Sequence, residues 1–136
     1  MNFILDNLAI GNFKEALTPA PQIDALLCVA EERDVENCPF LYKKVPMVDM
    51  HPIPPTQLAE AVEWIKDNIS HKKIMVFCNA GVGRSPSTVV AYLCCFHQMG
   101  FGEAVEFVAR RKADISTLPN LILTIEEVRE MLSPPL

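Results

Sequence analysis

The sequence predicts an α/β fold in which a central, mostly parallel sheet is flanked by helices. Short continuous apolar runs at residues 24–30 and 73–78 are typical of buried parallel strands. Segments with helical apolar spacing alternate with these runs, and this alternation favours parallel pairing. The chain has 136 residues, half of them hydrophobic, which suits one domain over residues 1–136 with one core.

Charge and cysteine content argue against several classes of protein. A formal net charge of −5 disfavours a nucleic-acid partner, which requires a basic surface. The N-terminus lacks the pattern of a signal peptide, and no apolar stretch reaches the roughly 18 residues of a membrane span, so we expect no membrane partner. The five cysteines are odd in number and form no Cys-x-x-Cys pair. This usage favours a cytoplasmic protein over a disulfide scaffold or a zinc site.

The first half of the chain predicts two strands and one helix. Residues 24–30 form the first strand, and residues 42–50 form a second strand that runs into a loop. The proline-rich segment 51–55 cannot continue as a helix interior or a central strand. Thr56 is expected to cap a helix that runs to about Ser70, because apolar residues recur there at helical spacing.

The second half predicts a third strand and three helices. The strand at residues 73–78 leads into a glycine-rich turn. Ser85 is followed by proline, which is tolerated in the first turn of a helix, and Gly100 is expected to end that helix. Two further helices are predicted over residues 102–112 and 119–132.

The turn after the third strand reads CNAGVGR, and we call these residues, Cys78–Arg84, the phosphate-binding loop (a P-loop). Such a strand–turn–helix unit points successive backbone N–H groups into one concavity, and the helix N-terminus adds its positive dipole end. Glycine allows the backbone to approach a ligand closely. We therefore expect phosphate, sulfate or vanadate to occupy the loop, bound by Asn79, Ala80, Gly81, Val82, Gly83 and Arg84.

Two side chains of the phosphate-binding loop and that of Ser85, the next residue, predict covalent phosphoryl chemistry. Arg84 can offer a planar fork of donors to two phosphate oxygens. The same inward N–H groups stabilise a thiolate at Cys78, which can attack phosphorus and form a covalent intermediate. The hydroxyl of Ser85 can donate to the sulfur and help it to leave in a second step.

The segment resembles the Cys-x5-Arg-Ser motif of the cysteine-dependent phosphatases, and the small chain resembles a catalytic-domain-only member of the dual-specificity phosphatase family. The resemblance extends from residue 8 to the last helix. It implies a dual-specificity-phosphatase-like fold, a phosphocysteine intermediate and no metal or organic cofactor. It also implies a shallow pocket that accepts phosphoserine, phosphothreonine and phosphotyrosine in proteins.

The resemblance further implies a general acid on a loop upstream of the motif. The segment VPMVDMHPIPP occupies that place, so Asp49 is identified as the acid that protonates the leaving group and then activates water. The alternative is that Asp49 is only a loop residue or a cap. His51 is a weaker candidate, and Asp34 and Asp67 do not lie at the matching position.

Phe77 departs from the family pattern, which usually has histidine immediately before the nucleophile. Phenylalanine carries no charge and cannot donate to a backbone carbonyl. One hypothesis is that the thiolate of Cys78 is less favoured, so that activity is weaker or shifted to higher pH. The alternative is that Phe77 packs in the core and the backbone N–H groups of the loop suffice.

Other functions stay open at this point. The variant motif also resembles that of glucan phosphatases, and glucan, phosphoinositide or RNA 5′-phosphate substrates are alternatives to phosphoproteins. A pseudophosphatase that binds phosphorylated partners without turnover is another. A metal-dependent phosphatase is disfavoured, since the three histidines and the scattered carboxylates show no ligand spacing.

The remaining cysteines have no assigned role in the chemistry. Cys28, Cys94 and Cys95 lie in apolar patterns and are expected to be buried. Cys38 precedes a proline in a predicted loop, where it can be exposed. Their positions relative to Cys78 do not follow from the sequence, so a redox role for any of them stays open.

Overall fold

The computed structural model describes residues 1–133. In chain order the elements are β1 (Asn2–Leu5), β2 (Leu8–Gly11), α1 (Phe13–Leu17), β3 (Ala25–Cys28), β4 (Leu41–Lys44), α2 (Pro55–Asn68), β5 (Ile74–Phe77), α3 (Arg84–Phe96), α4 (Phe101–Arg111) and α5 (Leu121–Leu132). The strands form a sheet in the order β1-β2-β5-β3-β4. Strands β1 and β2 are antiparallel and the other neighbours are parallel. The predicted α/β fold with a mostly parallel sheet is therefore confirmed.

The core lies around the two central strands and helix α3. Every residue of β5 and of β3 is buried. Parallel strands covered on both faces appear as continuous apolar runs, which is why the sequence pattern revealed these two. Helix α3 is buried from Arg84 to Cys94 and packs against β5 and against helices α2, α4 and α5. Among the described helices, none combines the length and apolar character that a membrane span requires.

The sheet topology places three strand ends side by side. The parallel register aligns Gly11, Cys28 and Phe77, the last residues of β2, β3 and β5. Strands β2 and β3 follow each other along the chain but lie on opposite sides of β5. Ligands of open parallel sheets bind in the crevice beyond the carboxyl ends of the strands at such a position.

The N-terminal hairpin and helix α1 are absent from the sequence prediction. The apolar runs of β1 and β2 extend over only three residues each, and the pairing of the two strands is irregular between Phe3 and Leu5, so neither gives a clear pattern. Helix α1 begins with a capping box, in which Asn12 Oδ1 accepts from the Glu15 amide at 2.8 Å and Glu15 Oε1 accepts from the Asn12 amide at 3.0 Å. The Asn-x-x-Glu spacing could have revealed this helix.

Two predictions of helix ends are wrong. Thr56 does not cap α2, because the helix begins at Pro55 and Pro54 occupies the capping position without a side-chain hydrogen bond. Gly100 does not end α3. That helix ends at Phe96, where Gln98 takes the left-handed conformation (φ 55) that a glycine often supplies. Gly100 instead precedes α4 as its N-cap.

Candidate active site

The phosphate-binding loop connects β5 to α3 at the centre of the sheet edge. Gly81 has a φ of +76°, and a Cβ at this position would lie 2.9 Å from the carbonyl oxygen of Gly11. Glycine is therefore needed both for the conformation and for the close approach. The amide of Phe13 donates to the carbonyl of Asn79 at 3.1 Å. This bond ties the start of the loop to the segment after β2.

Cys78 is the first residue of the phosphate-binding loop and Ser85 directly follows its last residue, and the two side chains are in contact. Cys78 directly follows β5, and Ser85 is the second residue of α3. Both are buried, and Sγ of Cys78 lies 3.2 Å from Oγ of Ser85. A hydroxyl at this distance can donate a hydrogen bond to the sulfur.

Arg84 is a buried cation whose two terminal nitrogens donate hydrogen bonds to residues of two other loops. Its side chain is 2 % exposed. Nη1 donates to Glu32 Oε1 at 2.6 Å, and Nη2 donates to Glu32 Oε2 at 2.7 Å. Nη1 also donates to the carbonyl of Met47 at 3.1 Å. Such a bidentate pair fixes both the position and the plane of the guanidinium group.

The opposite edge of the Arg84 guanidinium has no hydrogen-bond partner in the protein. Nε is the one buried side-chain nitrogen or oxygen atom of the described chain without such a partner. Its nearest charged neighbour is Asp49, whose Oδ1 lies 3.8 Å away. An unpaired buried donor costs about 1–3 kcal/mol. Nε–H and the adjacent hydrogen of Nη2 form the fork that binds two oxygens of an oxyanion.

The Glu32–Arg84 pair keeps both groups charged around neutral pH. The hydrogen bonds from Arg84 lower the pKa of the Glu32 carboxyl to about 2. The same hydrogen bonds, which the Glu32 carboxylate accepts, raise the pKa of the Arg84 guanidinium. The positive charge of Arg84, the last residue of the phosphate-binding loop, is therefore maintained.

Asp49 lies at the mouth of the same pocket. Its Oδ1 accepts from the Met50 amide at 3.0 Å, and a Cβ on Gly83 would lie 3.4 Å from that oxygen. The Asp49 side chain is 55 % exposed. It lines a pocket of about 320 Å³ together with Cys78 and Arg84. His51 is exposed, and its Nδ1 lies 2.7 Å from the backbone carbonyl of Asp49.

Residues 116–119 form one wall of this pocket, in which Ser116 and Thr117 are polar and Leu118 and Pro119 are apolar. The amide of Ser116 donates to the carbonyl of Val82 at 2.8 Å, and the amide of Leu118 donates to Oγ of Ser87 at 3.0 Å. These bonds fix the wall to the phosphate-binding loop and to α3. The apolar side chains that line the pocket are those of Met50, Ala80, Val82, Leu118 and Pro119.

The structure brings Cys78, Arg84, Ser85 and Asp49 together around one pocket. Asp34 and Asp67 lie elsewhere, the first bonded to Tyr42 and the second in a groove beside α2. Sequence reasoning missed Glu32, the carbonyl of Met47 and the wall of residues 116–119. One signal was available for Glu32: two glutamates follow β3 within four residues of its carboxyl end, at the sheet edge where the site lies.

The structure also places Phe77 and the other cysteines. Phe77 is fully buried in the core, which confirms the packing part of the alternative. The effect of Phe77 on activity stays a prediction. Cys28 and Cys94 are buried, while Cys38 and Cys95 are half-buried. Burial raises the pKa of the Cys94 thiol, and it raises that of Cys95 to about 11. These two thiols are therefore protonated and weakly nucleophilic at neutral pH.

Comparison with known proteins identifies the family. The model of the dual specificity phosphatase catalytic domain matches residues 9–131. Human dual specificity protein phosphatase 1 is 33 % identical over 122 residues, which cover 83 % of this chain and 33 % of that protein. The chain belongs to the dual specificity phosphatase family. It spans about a third of the length of this human relative.

Solved structures show the same fold at low sequence identity. A human tyrosine phosphatase-like serine/threonine/tyrosine-interacting protein superposes with a TM-score of 0.83 at 20 % identity, covering 96 % of both chains. PTPMT1 in complex with PI(5)P superposes with a TM-score of 0.77 at 20 % identity, covering 94 % of this chain and 93 % of that one.

Proposed function

We propose that the chain is a cysteine-dependent phosphatase that hydrolyses phosphomonoesters through a phosphocysteine intermediate. The observation that carries the proposal is the unpaired, buried Nε of Arg84 in the pocket that also holds Cys78. A buried donor without a partner is a cost that an oxyanion ligand removes. Family membership and the neighbouring Ser85 and Asp49 support the same chemistry.

In the first step the thiolate of Cys78 attacks the phosphorus of the ester. A P–S bond forms as the P–O bond to the leaving group breaks, and Asp49 transfers its proton to the departing oxygen. Arg84 and the backbone N–H groups of residues 79–84 bind the equatorial oxygens. Their charge and dipoles are fixed before the reaction begins, which is how a site stabilises the charge of a transition state.

In the second step water releases the phosphate. The Asp49 carboxylate takes a proton from the water molecule, whose oxygen attacks phosphorus as the P–S bond breaks. The thiolate of Cys78 leaves, and the hydroxyl of Ser85, 3.2 Å away, donates a hydrogen bond to the sulfur. Orthophosphate and the free enzyme are the products.

The substrates that fit this pocket best are phosphoserine, phosphothreonine and phosphotyrosine in proteins. Arg84 is the one cation among the described residues that line the pocket, and its charge is committed to the reacting phosphate. The rest of the lining combines five apolar residues with Asp49, Ser116 and Thr117 and offers no second cation, which favours an organic leaving group over further phosphates. Phosphoinositides, glucan and RNA 5′-phosphates are therefore second choices, although a structural neighbour was solved in complex with PI(5)P.

The test is hydrolysis of an aryl phosphate between about pH 5 and pH 8 in the presence of EDTA. Wild type and Cys78→Ser are compared, with Cys38→Ser as the matched control for loss of a thiol outside the pocket. We expect turnover that resists EDTA, persists in Cys38→Ser and disappears in Cys78→Ser, together with a phosphorylated Cys78 peptide after acid quenching. Among residues 1–133 no cluster of His, Cys, Asp and Glu side chains is arranged to hold a metal ion.

Two results would contradict the proposal. Turnover that survives in Cys78→Ser would exclude a cysteine nucleophile. A folded wild-type protein that binds tungstate by calorimetry but turns over no aryl phosphate or phosphopeptide would be a pseudophosphatase that binds phosphorylated partners. A panel of phosphopeptides and phosphoinositide vesicles then ranks the substrate classes.

A further inference from the structure

The loop that follows β3 contacts the phosphate-binding loop at both of its ends. Two consecutive residues make these contacts. Glu32 binds Arg84 at the end of the phosphate-binding loop through two hydrogen bonds. Arg33 donates from Nε to Oδ1 of Asn79, the residue after the nucleophile, at 2.9 Å.

Arg33 is itself held in place from several directions. Its Cζ lies 4.5 Å from the centre of the Phe13 ring, a cation–π contact. Its backbone carbonyl accepts from Nζ of Lys44 at 2.6 Å and from the thiol of Cys28 at 3.3 Å. An exposed arginine that is fixed this way loses little further freedom when it orders a neighbour.

The first half of the phosphate-binding loop depends on such outside contacts. Residues between Cys78 and Gly83 precede α3, so helical hydrogen bonds do not order them. Phe77, directly before Cys78, is apolar and fully buried, so its side chain cannot donate to the loop. The contacts to Asn79 come from Phe13, which binds its carbonyl, and from Arg33, which binds its side chain.

We propose that Arg33 is a positioning residue for phosphoryl transfer. Through Asn79 it holds the first half of the phosphate-binding loop in the conformation that directs the backbone N–H groups at the bound oxyanion and at the sulfur of Cys78. The inference rests on the proposed function of that loop. Its physical basis is that pre-oriented donors need no reorganisation when charge develops.

The first experiment is a double-mutant cycle on aryl phosphate hydrolysis. Arg33→Ala and Asn79→Ala are each expected to lower kcat/KM about tenfold, since each removes one charge-assisted hydrogen bond that positions the loop. The double variant should lose no more than either single variant, because both remove the same bond. Arg33→Lys, which keeps the charge but not the planar fork, should recover only part of the loss.

Arg111→Ala is the matched control. Arg111 also stacks on a phenylalanine, with Cζ 3.6 Å from the centre of the Phe107 ring, but it lies at the end of α4 and does not touch the phosphate-binding loop. This variant measures how much the loss of a stacked, exposed arginine away from the phosphate-binding loop changes kcat/KM. We expect kcat/KM to stay within twofold of the wild-type value.

The second readout is independent of turnover. The rate at which iodoacetamide alkylates Cys78, followed by peptide mass across the acidic range, reports how well the loop stabilises the thiolate. We expect the midpoint of this profile to move to higher pH in Arg33→Ala and Asn79→Ala but not in Arg111→Ala. If Arg33→Ala behaves as Arg111→Ala, or if the effects of Arg33→Ala and Asn79→Ala add, Arg33 is not a positioning residue. A wild type without turnover would refute the proposed function, while the alkylation profiles would still decide the role of Arg33.

Discussion

The floor and the mouth of the pocket are built in different ways. At the floor, Cys78, Arg84 and Ser85 are each at most 2 % exposed and each contacts another polar group of the site. At the mouth, Asp49 is 55 % exposed, and Met50 is 80 % exposed with a φ of 62°. The phosphoryl group is the same in every phosphomonoester, whereas the leaving group varies. Under the proposed function, the buried part of the site therefore lies where all substrates are the same.

This difference predicts two kinds of response to substitution. A change at the floor should reduce activity on every substrate by the same factor, because all substrates share the phosphoryl group. A change at the mouth should alter the ranking of substrates, because the leaving group contacts the mouth. The three substitutions that follow test this division, from the largest expected effect to the smallest.

Asp49→Asn should cause a loss that depends on the leaving group. For an aryl phosphate whose leaving phenol is basic, we expect kcat/KM to fall by a factor of about 10²–10⁴, the usual contribution of general acid catalysis to the rate. The loss should be much smaller for p-nitrophenyl phosphate, whose leaving group needs no proton. Steady-state kinetics on both esters checks this, with Asp67→Asn on α2 as the matched control. Equal losses on the two esters would show that Asp49 does not protonate the leaving group.

Glu32→Gln should weaken substrate binding at the floor of the pocket for all substrates and should also lower the free energy of unfolding. Arg84 loses its ionic partner, so we expect the free energy of unfolding at pH 7 to fall by about 1–2 kcal/mol, a value reduced for the solvent screening of the half-exposed Glu32. The oxyanion site is held less firmly, so KM for all esters should rise by a similar factor. Glu106→Gln, which breaks an exposed pair with Arg110, is the matched control and should change neither quantity.

The stability effect of Glu32 has a defined pH dependence. Its pKa is about 2 in the folded protein, below its ordinary value near 4.5. The stabilisation is therefore complete above about pH 4.5 and is lost as the pH falls from there toward 2. Denaturant titrations at a series of pH values should show the wild-type and Glu32→Gln curves converging in that window. Curves that stay parallel down to pH 2 would contradict the ion pair.

Met50→Ala should have the smallest effect and act only through the leaving group. Truncation removes apolar contact with an aryl ring, so we expect KM for aryl phosphates to rise about threefold to tenfold. KM for a small alkyl phosphate should not change. Met131→Ala, which removes a half-exposed methionine on α5, is the control. A parallel rise of KM for alkyl and aryl esters would place Met50 outside the leaving-group site.

The parts of the site that are local in the chain could be predicted from the sequence. The phosphate-binding loop, its strand and its helix are consecutive, and the chemistry proposed for Cys78, Arg84 and Ser85 was inferred from their spacing. Glu32 was missed because it lies 52 positions from Arg84, and only the pairing of β3 with β5 brings the two together. Asp49 was proposed as the acid only through the family resemblance, because its loop carries no local pattern that marks an acid.

The fold shows the same division. The apolar runs around the buried strands β3 and β5 extend over six and five residues, whereas those of β1 and β2 extend over three residues each and give no clear pattern. The end of α3 was misplaced because Gln98, a residue with no special preference for the left-handed conformation, adopts it in place of the expected glycine.

In the proposed reaction, the oxyanion that binds the unpaired edge of Arg84 is also a ligand of the folded state. Any oxyanion that binds the native loop but not the unfolded chain adds RT ln(1 + [L]/Kd) to the free energy of unfolding, about 2.7 kcal/mol at a hundred times Kd. Orthophosphate, the product of the proposed reaction, is one such anion. Product inhibition and thermal protection by phosphate would then be two measures of a single equilibrium, and one dissociation constant should account for both.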